Sequence, residues 1–170
     1  MKLFKMLSVA VAATIVVVAC KKDETKATTG GSATYQNKTY MMDSGYTYSS
    51  NDYSYVYLAN QNIVNVLGYR DTTKLLNVVY LVFPKASIPA GTFTYDSNLE
   101  TLDSTKNFSG GEVALNYNIQ TGAGVGLGIV SGTVTVSKEN TNYGFNYKLK
   151  LSDSTTITGG FNGSLGIVEP

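Results

Sequence analysis

The chain is 170 residues long, carries a net charge of +1, and contains one cysteine, no histidine and no tryptophan. Without histidine there is no Ser-His-Asp or Cys-His catalysis, no imidazole acid–base chemistry, and none of the commonest zinc and iron ligand sets. Residues 33 to 170 hold eight Lys or Arg against ten Asp or Glu, with no basic stripe to neutralise a row of phosphates, which argues against nucleic acid as a partner.

The first segment, MKLFKMLSVAVAATIVVVACKKDE, begins with a positive tip at Lys2 and Lys5. From Met6 to Ala19 it is apolar apart from Ser8 and Thr14, the pattern of a secretory signal. Fourteen helical residues would span about 21 Å, short of a hydrocarbon core of about 30 Å, so a transmembrane helix is a poor reading. Val17-Val18-Ala19-Cys20 resembles the lipobox of bacterial lipoproteins, and the resemblance implies removal of residues 1–19 and acylation of Cys20. An acylated Cys20 leaves no thiol for catalysis or a disulfide, and two or more acyl chains make a durable membrane anchor. Lys21-Lys22-Asp23-Glu24 resembles the lysine-plus-acids signal that sends Bacteroidota lipoproteins to the outer face of the outer membrane; the plain alternative is a solvated start to a linker. Residues 20–34, with no large apolar side chain and with Gly30-Gly31-Ser32, are expected to form a flexible tether. Residues 35–170 remain as one domain, long enough to bury a real core.

Within that domain Tyr35 to Met42 is expected to open a sheet, followed by a strand at Tyr53 to Ala59. Ile63 to Tyr69 is expected to pair with Asn77 to Phe83 (NVVYLVF) across Arg70-Asp71-Thr72-Thr73-Lys74. The nearly continuous apolar run of NVVYLVF predicts a central strand covered on both faces, stopped by Pro84. Thr92 to Tyr95 and Glu112 to Asn118 are further strands, and Ser97 to Thr105 is the nearest thing to a helical turn. Near the C-terminus, Tyr143, Phe145, Tyr147, Leu149 and Leu151 alternate with Gly144, Asn146, Lys148 and Lys150, a strand with one wet face. Val130, Val134 and Val136 are placed on one face with Gly132 before it, and Ile157 and Phe161 face inward after it, predicting a three-stranded antiparallel meander over 129–164. The fold class is all-β: a single antiparallel barrel or sandwich of about eight to ten strands.

The phrases Ile88-Pro89-Ala90-Gly91-Thr92-Phe93-Thr94-Tyr95, Ser131-Gly132-Thr133-Val134-Thr135-Val136 and Ile157-Thr158-Gly159-Gly160-Phe161-Asn162-Gly163 resemble, in this order, small Bacteroidota lipoproteins with calycin-like or lipocalin-like β-domains. The resemblance covers roughly residues 80 to 165 and implies an antiparallel barrel or sandwich on a lipid anchor. It carries no catalytic residue with it, and a barrel alone does not establish ligand carriage. Gly159 and Gly160 are read as relieving crowding where a strand bends to close a barrel.

All thirteen tyrosines lie at or after position 35. Tyr46, Tyr48, Tyr53, Tyr55 and Tyr57 straddle the turn-like Ser49-Ser50-Asn51-Asp52, and the odd spacing puts Tyr53, Tyr55 and Tyr57 on one face. They are the candidate ligand-binding residues, because aromatic rings offer large amphipathic area with a polar tip; the competing explanation is that tyrosine favours half-buried strands. Gly122, Gly124, Gly126 and Gly128 alternate with apolar residues and precede a strand rather than a helix, which excludes a phosphate-cradling loop and leaves a bare-faced strand or an apolar hairpin tip. Asp96, Asn98, Glu100 and Asp103 lack the glycine of a calcium loop, so no metal site is predicted. No cofactor is predicted either. Asp71-Thr72-Thr73, Asp103-Ser104-Thr105 and Asp153-Ser154-Thr155 resemble the O-glycosylation motif of exported Bacteroidota proteins, making Thr72, Ser104 and Ser154 candidate attachment points; ordinary turn chemistry explains the same residues.

Together these features predict a non-enzymatic, outward-facing lipoprotein of the outer membrane that binds a glycan, a peptide or a small apolar molecule. The rival is an accessory subunit of an envelope complex, and a hydrolase using paired carboxylates comes third.

Overall fold

A computed structural model describes residues 30–67 and 73–168. The signal, Cys20, the charged cluster after it and the first part of the tether therefore lie outside the described residues, as do Gly68, Tyr69, Arg70, Asp71 and Thr72. The described elements are β1 (Gly30–Tyr35), β2 (Lys38–Met42), β3 (Ser44–Ser50), β4 (Tyr53–Ala59), α1 (Ile63–Leu67), β5 (Leu76–Phe83), β6 (Gly91–Tyr95), β7 (Asn107–Phe108), β8 (Gly110–Tyr117), β9 (Val125–Glu139), β10 (Asn142–Leu151) and β11 (Thr156–Ile167). The fold is all-β, as expected.

Seven of these strands close into a ring in the order β3, β4, β5, β8, β9, β10, β11. Each neighbour in the series runs antiparallel to the last. An up-and-down series with an odd number of strands ends with its last strand running in the direction of its first. The ring therefore closes through a parallel pair, Leu165 to Ile167 of β11 against Gly45 to Thr47 of β3. The architecture is compatible with a calycin-like fold.

β9 and β11 are long because each serves two neighbours on one edge. The start of β9 pairs with β8 and its later part with β6, while the start of β11 pairs with β1 and its end with β3. The hairpin β1–β2 and the pair β6–β7 thus extend the sheet beyond the ring. Tight asparagine-bearing loops set several registers: Gln36-Asn37, Asn51-Asp52 and Asn140-Thr141 each join strands through two residues, with positive φ at Gln36, Asn37, Asn51 and Asn140.

The interior is occupied by the protein's own side chains. Val56 and Leu58 of β4, Val79, Leu81 and Phe83 of β5, Val113 and Leu115 of β8, Phe145, Leu149 and Leu151 of β10 and Ile157 of β11 form one cluster with Phe93 and Phe108 from the flanking pair. Phe83 meets Phe93 edge-on at 5.3 Å between ring centroids. Each such buried side chain contributes roughly 1.5–3 kcal/mol of transfer free energy. At Gly159, a side chain would strike the carbonyl of Ser32 and come within 2.6 Å of the Tyr147 hydroxyl, so the close approach of β1 and of Tyr147 to β11 requires glycine there.

Four expectations are corrected. Ile63 to Leu67 is a short helix instead of the strand partner of β5, whose neighbours are β4 and β8. Its start is capped by Asn62, whose side-chain oxygen accepts from the Val64 amide at 2.9 Å, and the i, i+3 pair Ile63 and Val66 is buried together. Ser97 to Thr105 is not helical; carboxylate and amide side chains fold it into turns, with the Asn98 amide donating to Asp96 and the Glu100 amide to Asn98. The strand β1 takes in Gly30 to Thr34, which the sequence assigned to the tether, because all six residues of β1 find partners on both β2 and β11 or on β11 alone. Finally, Val130 does not share a face with Val134 and Val136. Lys150 pairs with Ser131 and Leu151 with Ile129, so Val130 is the extra residue of a bulge, turned outward while Ile129 is buried.

Candidate functional site

The outer face of the sheet differs from the inner face in the heights of its side chains. Backbone register lines up a transverse row of Tyr46, Tyr57, Tyr80, Glu112 and Gly128 across β3, β4, β5, β8 and β9. Beside it runs a second row, Ala59, Val78, Ala114 and Gly126. A tall row of tyrosines next to a row of short side chains leaves a trough. Its far wall is made by Ile63 and Val66 of α1 with Leu76, Tyr117 and Ile119, most of which pack on Ala59 and Val78 as a second apolar cluster outside the ring. The result is an open groove of about 670 Å³.

Asparagines hold the far wall in place. The described ends of the segment between β4 and β5 are clamped together by Asn60, whose side chain accepts from the Asn77 amide at 2.9 Å and donates to the Leu75 carbonyl at 3.0 Å. The Asn77 side chain in turn accepts from the Asn116 amide at 2.7 Å, bridging the register shift between Leu76 and Val78. Leu76 and Val78 share the groove face by ordinary alternation, and the extra residue of the shift lies on β8, where it brings Tyr117 to the same side as Ala114; β5 is covered on both faces only over its first residues.

The five candidate tyrosines are all brought to this outer face, and all are half-buried. Four of them form a ladder with Tyr80: Tyr48 to Tyr55 at 5.5 Å, Tyr53 to Tyr55 at 6.5 Å, Tyr55 to Tyr80 at 6.2 Å and Tyr57 to Tyr80 at 4.9 Å. At 4.9 Å and 24° between planes, Tyr57 and Tyr80 overlap face to face. Of the five, only Tyr57 lines the groove; Tyr48, Tyr53 and Tyr55 continue the ladder away from it, and Tyr46 stands outside the ladder, packed on the second apolar cluster. Tyr80 and Tyr117, which the sequence did not single out, do line it. The signal for Tyr80 was its outward position within NVVYLVF, masked there by the apolar run around it.

Burial first, then the neighbouring Tyr57 and Tyr55 rings and the charge of Glu112, push the Tyr80 hydroxyl well above its ordinary pKa. Tyr57 is raised for the same leading reason, then by Tyr55 and Tyr48. Both hydroxyls therefore stay protonated and serve as neutral hydrogen-bonding tips. Glu112 is exposed and, among the described residues, has no ion-pair partner.

The glycine alternation finds its place here. Gly126 and Gly128 give β9 a bare outer face that borders the groove, and a side chain added at Gly128 would meet nothing within 4 Å. The bare face leaves space open instead of admitting another element.

Of the remaining candidates, Ser104 and Ser154 stay apart from the groove. In Asp103-Ser104-Thr105 the Asp103 carboxylate accepts from the Thr105 amide at 2.9 Å and its hydroxyl at 2.6 Å, and in Asp153-Ser154-Thr155 the Asp153 carboxylate makes the same two bonds to Thr155. Aspartate and threonine thus build the turn in both cases. Ser154 is exposed and Ser104 half-buried, and Thr72 lies outside the described residues. Hydrogen bonds to Thr105 and then Lys106 draw Asp103 down to about 2, and those to Thr155 lower Asp153. Among the described residues no group of three or more acids could hold a metal ion.

No protein-family model, curated protein or solved structure matches the chain.

Proposed function

We propose that the chain is a membrane-anchored, non-enzymatic binding module and that the outer groove, not the barrel interior, receives its ligand. The observation that carries this reading is the trough between the Tyr57–Tyr80 row and α1: it is concave, mostly apolar, and edged by tyrosine hydroxyls, the mix that small-ligand sites use. The interior, by contrast, is occupied by Phe83, Phe145, Leu81 and Leu149. Among the described residues the groove holds one carboxylate, Glu112, where a paired-acid hydrolase needs two.

The anchor and the address rest on the sequence. Val17-Val18-Ala19-Cys20 supports acylation at Cys20, and Lys22-Asp23-Glu24 supports display on the outer face of the outer membrane in the manner of Bacteroidota lipoproteins. Metabolic labelling with a palmitate analogue tests the first, with Cys20→Ala expected to abolish label. Protease accessibility on intact cells tests the second.

A thermal-shift screen of glycans, peptides and short-chain amphiphiles tests ligand binding. The expected result is stabilisation of the native chain by at least one class and its loss on Tyr80→Ala. Stabilisation that survives Tyr80→Ala and Gly128→Leu alike would place the ligand elsewhere. The competing reading, an accessory subunit of an envelope complex, draws on the exposed apolar side chains Val64, Leu75 and Ile167; it predicts co-purification of a partner and no small-molecule shift.

A further inference from the structure

The cross-strand row gives the groove a chemical preference. β5 lies between β4 and β8, and Tyr57 on the β4 side covers one face of Tyr80 at 4.9 Å. The opposite face of Tyr80 is turned toward β8, where its direct partner in register is Glu112. The next residue in the row is Gly128, which contributes no side chain and leaves the space beside Glu112 open. A group entering that space meets a negative carboxylate below and the π-face of Tyr80 beside it. Both attract a cation and neither attracts an anion. Next to this point the floor is Ala114 and Val78, with Ile63 and Val66 facing them, an apolar slot that would take a hydrocarbon body.

Resting on the groove as the ligand site, we infer that the preferred occupant is an organic monocation with an apolar body, its ammonium or guanidinium head between Glu112 and Tyr80 and its hydrocarbon part over Ala114 and Val78. The same chemistry is offered by a free alkylamine, by a zwitterionic or cationic lipid headgroup with its chain, and by a lysine or arginine side chain beside an apolar residue.

The test is isothermal titration calorimetry of the full chain with three probes sharing one hydrocarbon part: hexyltrimethylammonium, hexyl glucoside and hexyl sulfate. Hexyltrimethylammonium is expected to bind most tightly. Glu112→Gln, a change on the exposed surface, is expected to weaken it about tenfold while leaving the glucoside unchanged. Tyr80→Phe keeps the ring and retains the affinity, whereas Tyr80→Leu loses about fivefold. Equal binding of all three probes, or a cation affinity unmoved by Glu112→Gln, overturns the charge preference and leaves the groove as the site. Absence of binding by every probe overturns both. If the preference holds, competition by free hexylamine, by phosphatidylcholine vesicles or by a Leu-Lys dipeptide identifies the source of the head group.

Discussion

The two faces of β5 make different use of one run of residues. Val79, Leu81 and Phe83 point into the barrel and are sealed there, whereas Val78 and Tyr80 point out to a groove that stays open. The strand reads as almost uniformly apolar, yet one side is a packing surface of fully buried side chains and the other a surface whose gap is kept. Volume accounts for the difference. On the inside, large side chains meet large side chains across the barrel; on the outside, the tyrosines of one row stand beside alanine and glycine in the next. Stability and recognition can therefore be separated by mutation along a single strand pair.

The strongest way to break that separation is inside. Phe145→Ala removes a ring that is 1% exposed, and the expected loss is about 3–5 kcal/mol in denaturant unfolding. A much smaller loss would mean that the interior is loosely packed and could itself admit a ligand. On the outside, Tyr80→Ala removes a half-buried ring and its overlap with Tyr57, an expected cost of about 1 kcal/mol in stability together with loss of ligand binding. Gly128→Leu sharpens the contrast further. Its side chain would enter open space, so stability is expected to change by less than about 0.5 kcal/mol while binding is abolished.

The smallest effect should come from the turns on neither face. Asp103, drawn down to about 2, and Asp153, lowered by its bonds to Thr155, have folded-state values below their unfolded ones. Their contribution is thus full above the ordinary carboxylate range and is lost as the pH falls through the folded value. Urea midpoints for the wild-type chain should fall between about pH 4 and pH 2, and the paired variant Asp103→Asn, Asp153→Asn should flatten that part of the profile.

The inner face was far more legible in the sequence than the outer one. Period-two alternation in Tyr143 to Leu151, the inward Ile157 and Phe161, and the loops at Asn51-Asp52 and Asn140-Thr141 follow from side-chain direction and turn chemistry, both local properties. The groove is made by register between strands far apart in the chain: Tyr80 against Glu112, and Glu112 against Gly128. No local pattern encodes that juxtaposition, so the tyrosines around Tyr53 were visible as a group while Tyr80 and Tyr117 were not. Ile63 to Leu67 misled for a related reason. Its β-branched composition favours a strand, but the Asn62 cap and the apolar outer surface of β4 and β5 stabilise a helical turn there. Val130 was misplaced because a bulge shifts the alternation by one residue, and a bulge leaves no fixed mark on sequence.

The central claim, that ligand is taken up on the outer face, is tested most directly by methyl-resolved NMR during titration with hexyltrimethylammonium. Val78 and Val79 are consecutive residues on opposite faces, as are Ala114 and Leu115. The account predicts that the methyl signals of Val78 and Ala114 shift with ligand while those of Val79 and Leu115 stay in place. Movement of Val79 and Leu115 with Val78 and Ala114 unchanged would contradict it and return the site to the barrel interior.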